Sequence, residues 1–478
     1  MISIPFFSNA SAGARIPGPS GYPLLGNALE LSSHASRGKT HEYFEKLGQE
    51  YGQSFLLSMA GNLLVVSSDK DLIHRALTDT TNFHRNELFD MVVKGIAEFA
   101  LFTLPSGEVW KRHRKYLQPA FGPVHLRHAG EATTSEMAIL MDYWSSKCDE
   151  GGSTTVDIFQ EFTALTLDVI GQIAFSHHFK ASESYHNGVD SEGHDIMQDI
   201  AALVQERFNT VPITWKFSGL GSNSPRVTAI RKYVDQLFEE ILAAKKLQTA
   251  NGETKLAKDK DVLDRLLDTD EDDNDKFSKA EIVGEVLGFF LAGHETSANT
   301  MTFMAYELSR NPEIQAKLKA EIKQVLHKNA GVVTVEHLNE FPYLDRVMKE
   351  TQRLHSIIPI IGRAALHDIE HNGFLIPAKT VVLCNIRGMH LNESYWTDPT
   401  AFNPDRWNEP IEANAFAPFG SGPMNCIGQK MAVIELKLAM IHLLSRFTLR
   451  YIDQELDFIT STTYGLKRGL SMELCMDT

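Results

Sequence analysis

The sequence predicts a mainly α protein with small β-sheets. Three observations predict it. Most of the chain repeats its apolar residues at helical spacing. One helix carries start signals strong enough to place its first turn. Strand signals are few and short, and they gather toward the C-terminal third.

The elements follow in chain order. "IPGPSGYPLLGN" (Ile16–Asn27) is dense in Pro and Gly, which fix or free φ, so it reads as a rigid, non-regular arm. "FTALTLDVIGQIAF" (Phe162–Phe175) is apolar nearly all round and predicts a buried helix. "KASESYHNGVDSEGHD" (Lys180–Asp195) and the acidic run Asp268–Asp275 read as polar loops. Ser278-Lys279-Ala280-Glu281 is a capping box, with Phe277 and Ile282 placed to staple it. No proline follows before Pro312, so this helix runs about 30 residues, roughly 45 Å. Asn311-Pro312 reads as the N-cap and first residue of the next helix. "HNGFLIPAKTVVLCNI" (His371–Ile386) reads as a hairpin, and "FTLRYI" and "GLSMELCM" alternate as strands do.

The chain has 478 residues and a net charge of −15, from 46 basic and 61 acidic residues. A surface that acidic repels nucleic acid, so no nucleic-acid partner is expected. Four scattered cysteines, Cys148, Cys384, Cys426 and Cys475, form no CxxC pair, which argues against a disulfide framework or a structural zinc site. The first apolar stretch is far shorter than the roughly 20 residues that span a bilayer, and it lacks the basic start of a signal peptide. The expected division is an N-terminal segment and proline-rich arm at 1–27 and one domain at 28–478.

The chemistry concentrates in "FGSGPMNCIGQKMA" (Phe419–Ala432). A cysteine attacks or ligates as its thiolate. Cys426 lies just before a helix-like run, where orphan N–H groups and the positive dipole end favour a negative sulfur. Gly420, Gly422 and Gly428 permit close approach of a bulky partner. Two functional readings stand: a nucleophile, which needs a base that no nearby histidine supplies, and an axial ligand to haem iron. Most lone cysteines are small buried hydrophobes, but a core position has no need of three glycines.

Phe419-x-x-Gly422-x-x-x-Cys426-x-Gly428 resembles the haem-binding loop of the cytochrome P450 family, the haem–thiolate monooxygenases. Further stretches match in the family's order. Glu350 and Arg353 in "KETQRLH" resemble its ExxR pair, completed by Arg406 of "NPDRW" as a structural network behind the cysteine loop. Ala292-Gly293-His294-Glu295-Thr296 resembles its oxygen-activation motif, which implies Thr296 and Glu295 as the proton-relaying pair and Gly293 as room for dioxygen. Trp110 and Arg114, at i and i+4 on one helix face, and Arg363 resemble its propionate partners. The resemblance covers roughly Ile16 to Leu470. It implies a single cytochrome P450 haem domain, with the long central helix over the haem and the cysteine loop beneath it.

Two departures accompany it. Met424 stands where the family usually has arginine, which leaves the carboxylates of haem b to Trp110, Arg114 and Arg363, with His355 as a further candidate. The resemblance is to membrane-associated, eukaryotic-type members, yet no anchor is seen. The implied site is the endoplasmic reticulum membrane if an anchor is missing, and otherwise the cytoplasm, with the protein a monomer.

The implied reaction inserts one atom of O2 into a hydrophobic small molecule. No Gly-rich flavin or nicotinamide segment is seen, so NAD(P)H acts indirectly, through NADPH-cytochrome P450 reductase or a ferredoxin. "KRHRK" (Lys111–Lys115), with Arg114 turned inward, and Lys430 are candidates for steering such a partner. Candidate pocket residues are Phe99, Phe102, Leu287, Phe290, Ala292, Ile358, Ile360 and Tyr464, an apolar set suited to a lipid, terpenoid or steroid. The alternatives are a peroxide-dependent or rearranging haem–thiolate enzyme, or a haem sensor. The Glu295-Thr296 pair speaks against both.

Overall fold

The computed structural model describes residues 16–477 except 60, 86–87, 189–198, 201, 208–209, 211–214, 216, 251–255, 257–258 and 268–276. Helices dominate, and the sheets are small. The acidic run Asp268–Asp275 lies outside the described residues, as does the stretch after Gly188 in the other expected loop. The first part of that loop is helical instead, at Ala181–Asn187. Its N-terminal amides explain this: Ala181 and Ser182 N–H donate to the buried Asp168 carboxylate at 2.8 and 3.0 Å.

The long helix spans Lys279–Arg310. Ser278 Oγ accepts from Glu281 N–H, and Glu281 Oε2 accepts from Ser278 N–H, so both halves of the capping box form. The next helix begins at Pro312 with Asn311 at its N-cap, as expected, but the Asn311 side chain makes no cap hydrogen bond. Its amide donates back to Glu307 O (2.8 Å) and closes the long helix instead. The Ile158–Phe175 helix is buried on almost every side and packs along the long helix. The Gln429–Arg446 helix, which follows the cysteine loop, packs on the Pro123–Lys147 helix and on the long helix.

The principal sheet has five strands in the order Ser54–Met59, Asn62–Ser67, Val381–Asn385, Ile360–Ala365, Phe83–Arg85. Only the pairing of Asn62–Ser67 with Val381–Asn385 is parallel. The expected hairpin over His371–Ile386 is therefore shorter. Ile369–His371 pairs with Phe374–Ile376 around Asn372-Gly373, while Val381–Asn385 leaves for the principal sheet. That strand is flanked on both sides, which suits its run of apolar residues. Phe447–Tyr451 and Ser471–Met476 are strands as expected; they pair with each other, and Ser153–Asp157 pairs on the other side of Ser471–Met476. The arm is tied down: Leu56 N–H donates to Pro17 O (2.8 Å) and Asn27 N–H to Ser58 O (2.6 Å).

Candidate active site

The cysteine loop is shaped by backbone constraints. Gly420 and Gly422 have φ of 70° and 73°, a region costly for residues with a Cβ. A Cβ on Gly422 would also meet Leu77 O at 2.6 Å. This glycine therefore serves the loop's packing onto the Lys70–Thr78 helix rather than approach to a partner, and it does not line the cavity. Cys426 N–H donates to Phe419 O (3.0 Å) and closes the loop, and the Gln429–Arg446 helix starts just past Gly428. The Cys426 side chain is open to the cavity; desolvation by the protein around it pushes the thiol upward, and the Gly428 N–H and Arg114 partly offset this.

Behind the loop, Glu350 and Arg353 are fully buried. Glu350 Oε1 accepts from Arg353 Nη2, Arg406 Nε and Asn403 N–H, each at 2.9 Å. Its Oε2 accepts from Arg353 Nε and Trp407 Nε1, both at 3.0 Å. Arg353 also donates to His390 O, Pro399 O and Ala401 O. Such full satisfaction makes a buried ion pair tolerable. His390 continues the network, its Nε2 accepting from Ala417 N–H (3.0 Å) just before the loop.

One cavity of about 1230 Å³ opens in front of Cys426. It brings together Cys426, Phe419, Gly428, Trp110, Arg114, Arg363, Ala292, Glu295, Thr296, Phe102, Ile358 and Ile360. Thr296 Oγ1 donates to its own Ala292 O (2.7 Å), as helical threonines do. Glu295 Oε1 accepts from Thr463 Oγ1 at 2.5 Å. Gly293 lines the cavity too, but its missing Cβ faces Ile170, which a methyl would meet at 2.8 Å. The glycine serves helix–helix approach, a correction to the expectation that it makes room for dioxygen.

Other expected residues lie elsewhere. Phe290 packs against Phe175 and Phe179, and Leu287 is buried in the core. Phe99 sits at φ 68° and is partly exposed. Tyr464 is buried under Arg387 and stacked with Phe458. Gly288, Phe289 and Leu291 take the lining positions that the helix's rotation denies to Leu287 and Phe290. His355 is no propionate partner: its Nε2 pairs with Glu307 (2.6 Å) and its ring stacks on Phe303. The basic run splits as well. Lys111 pairs with Glu108, Arg112 with Glu281, and His113 is buried against Glu285 (2.6 Å), so only Lys111 and Lys115 are exposed.

Sequence reasoning missed Arg85. It lies directly opposite Arg363 in the strand register, and both line the cavity. Like charges facing each other across a sheet are destabilising. Among the described residues Arg85 donates to Leu101 O (2.7 Å) and Leu104 O (2.9 Å), Arg363 to Gly362 O, and Arg114 to Asn425. Among the described residues no carboxylate pairs with any of the three. Burial, then Arg363 and Arg114, push the Arg85 guanidinium down to about 9. Three cations on one wall, Arg363 buried and Arg85 and Arg114 partly buried, call for a multiply anionic occupant, and the two propionates of haem meet that demand. Glu435 was missed as well. It is buried at the cavity's edge, burial raises it to about 8, and the Ser297 hydroxyl partly offsets the rise. No local pattern marks either residue, because only tertiary packing brings them to the cavity.

A mostly helical fold, a glycine-bounded cysteine on the cavity wall and a cationic cradle beside it define a haem–thiolate protein. The comparisons agree. The family model "Cytochrome P450" matches residues 16–473, and the chain belongs to that family. It is similar to cytochrome P450 3A27 of Oncorhynchus mykiss, at 28% identity over 92% of this chain and 84% of that protein. It is similar also to cytochrome P450 4X1 of Rattus norvegicus, at 28% over 96% and 90%, and to cytochrome P450 734A1 of Arabidopsis thaliana, at 27% over 91% and 84%. The protein is thus a monooxygenase that uses haem b, O2, a hydrophobic substrate and electrons from NAD(P)H through a redox partner.

Proposed function

We propose that this chain oxygenates a lipid-, terpenoid- or steroid-like molecule with electrons from a separate reductase. The observation that carries the reading is the convergence of Cys426, Arg85, Arg114, Arg363 and Glu295-Thr296 on one largely apolar cavity, with no carboxylate among the described residues paired to the arginines. Bound haem would supply the activation of dioxygen. Cys426 would ligate the iron as thiolate, while Arg85, Arg114 and Arg363, with Trp110 beside them, would hold the propionates. Glu295 and Thr296 would hand protons inward, with Thr463 orienting the Glu295 carboxylate.

Ile170, Ile173, Phe102, Phe289, Ile358 and Ile360 supply the apolar wall that excludes water and selects for apolar substrates. Exposed Tyr22, Leu24, Leu25 and Leu29 favour association with a membrane surface. No helix among the described residues is long and apolar enough to cross a membrane.

The test is optical and enzymatic. The reduced, carbon monoxide-bound holoprotein should show the thiolate Soret band, and Cys426→Ser should abolish it. Product formed with reductase and NADPH, but not with peroxide alone, supports the monooxygenase reading. The reverse result would assign the peroxide-dependent alternative.

A further inference from the structure

The turn segment at 98–104 touches both walls of the cavity, and its middle is held from two sides. Leu101 and Phe102 line the cavity. The Leu101 carbonyl accepts from Arg85 Nη1 at 2.7 Å, and the Leu101 N–H donates to Glu285 Oε2 of the long helix at 3.1 Å. Two glycines let the segment lie on that helix. A Cβ on Gly284 would collide with Glu98 O, and one on Gly288 would meet Ala100 Cβ at 2.6 Å and Phe102 Cε1 at 3.2 Å.

Glu285 is buried and has a second partner. Its Oε1 lies 2.6 Å from Nδ1 of His113, which is also buried. His113 is fixed in turn: its Nε2 lies 3.2 Å from Glu281 Oε1, and its ring meets Phe277 edge-on. His113 belongs to the helix Glu108–Leu117, which also presents Trp110 and Arg114 to the cavity. One carboxylate therefore links the two ends of the cationic wall. Arg85 holds Leu101, Leu101 holds Glu285, and Glu285 holds His113, the neighbour of Arg114. Both carboxylate oxygens are engaged within the protein, so Glu285 acts through these neighbours. A charged acceptor holds a backbone N–H more firmly than a neutral one does, and supporting bonds of this kind fix the side chains that meet a ligand.

We propose that Glu285 is a positioning residue: it ties the wall that holds the propionates to Phe102, and so sets the fit of the substrate's apolar part. This rests on the haem–thiolate reading above and adds to it a determinant of substrate fit.

The test uses two iron-ligating probes that differ by one phenyl ring, imidazole and 4-phenylimidazole, in spectral titrations of the holoprotein. The carbon monoxide spectrum is recorded first on the same samples. Failure there sinks the haem–thiolate reading, whereas failure in the titration sinks only the role of Glu285. The iron bond is common to both probes, so their affinity ratio reports the apolar wall. The wild type should favour 4-phenylimidazole by about tenfold or more, the worth of burying one ring. Glu285→Leu should narrow that ratio several-fold and leave the affinity for imidazole unchanged. Glu285→Gln, which can still accept from Leu101 N–H and donate to His113, should restore most of it. In a Phe102→Ala background, Glu285→Leu should narrow the ratio no further. An unchanged ratio in Glu285→Leu, equal weakening of both probes, or the same narrowing with and without Phe102 would overturn the proposal. If Glu285→Leu loses haem or unfolds, Glu285→Asp decides by the same ratio, since it keeps the charge but is one methylene too short to span both partners.

Discussion

Arg363 shows how one side chain can trade stability for binding. Its guanidinium donates to the Gly362 carbonyl, with no carboxylate partner among the described residues, and faces Arg85 across the sheet. Arg363→Met should leave the apoprotein as stable or more stable, because a partly buried like-charge pair disappears. The same change should speed haem loss to an apo-acceptor by roughly 10- to 100-fold, the worth of a charge-assisted contact. Both effects are read on one preparation, by thermal unfolding and by haem transfer. Met424 is the reverse case. It lies beside this wall, its sulfur accepting from Ser106 Oγ at 3.5 Å. Met424→Arg should slow haem loss, and equal rates would show that the three arginines already saturate the propionates.

At the scale of elements, caps and close approaches decide which helices can frame the cavity. Ser278→Ala removes the reciprocal cap of the long helix and should cost about 1 kcal/mol in chemical denaturation, with haem content unchanged. Glu350→Ala is far more severe. It strands Arg353, which has no exposure to water, and takes from Arg406 its carboxylate, one of four acceptors, so about 3–5 kcal/mol is expected. Soluble yield and haem incorporation should fall together. The long helix and the ExxR helix were legible because their signals are local: a cap, a period, a spacing. The fate of Val381–Asn385 was not, since strand pairing depends on a partner more than three hundred residues away.

For the whole molecule, burial of titratable groups makes stability depend on pH. Burial, aided by Arg353 and Arg387, pushes His390 down to about 3, and its Nε2 must stay unprotonated to accept from Ala417. The unfolded chain binds this proton near the ordinary value of about 6.5, so the stabilisation is complete above that pH. It is lost as pH falls toward 3, by up to about 1.4 kcal/mol per unit. His390→Gln should lower the slope of unfolding free energy against pH between about 6 and 4 by nearly one proton. An unchanged slope would mean that the site is not buried in the folded protein.

The sequence by itself determined the helical class, the long capped helix, the cysteine loop and the family, because each depends on residues adjacent in the chain or one helical turn apart. Only the tertiary structure decided which faces line the cavity. It brought Arg85 opposite Arg363, set Glu435 at the cavity's edge, moved Leu287 and Phe290 into the core and assigned His355 to Glu307. The physical reason is that a helix's rotation and a strand's register are set by what they pack against, and those partners lie far along the chain.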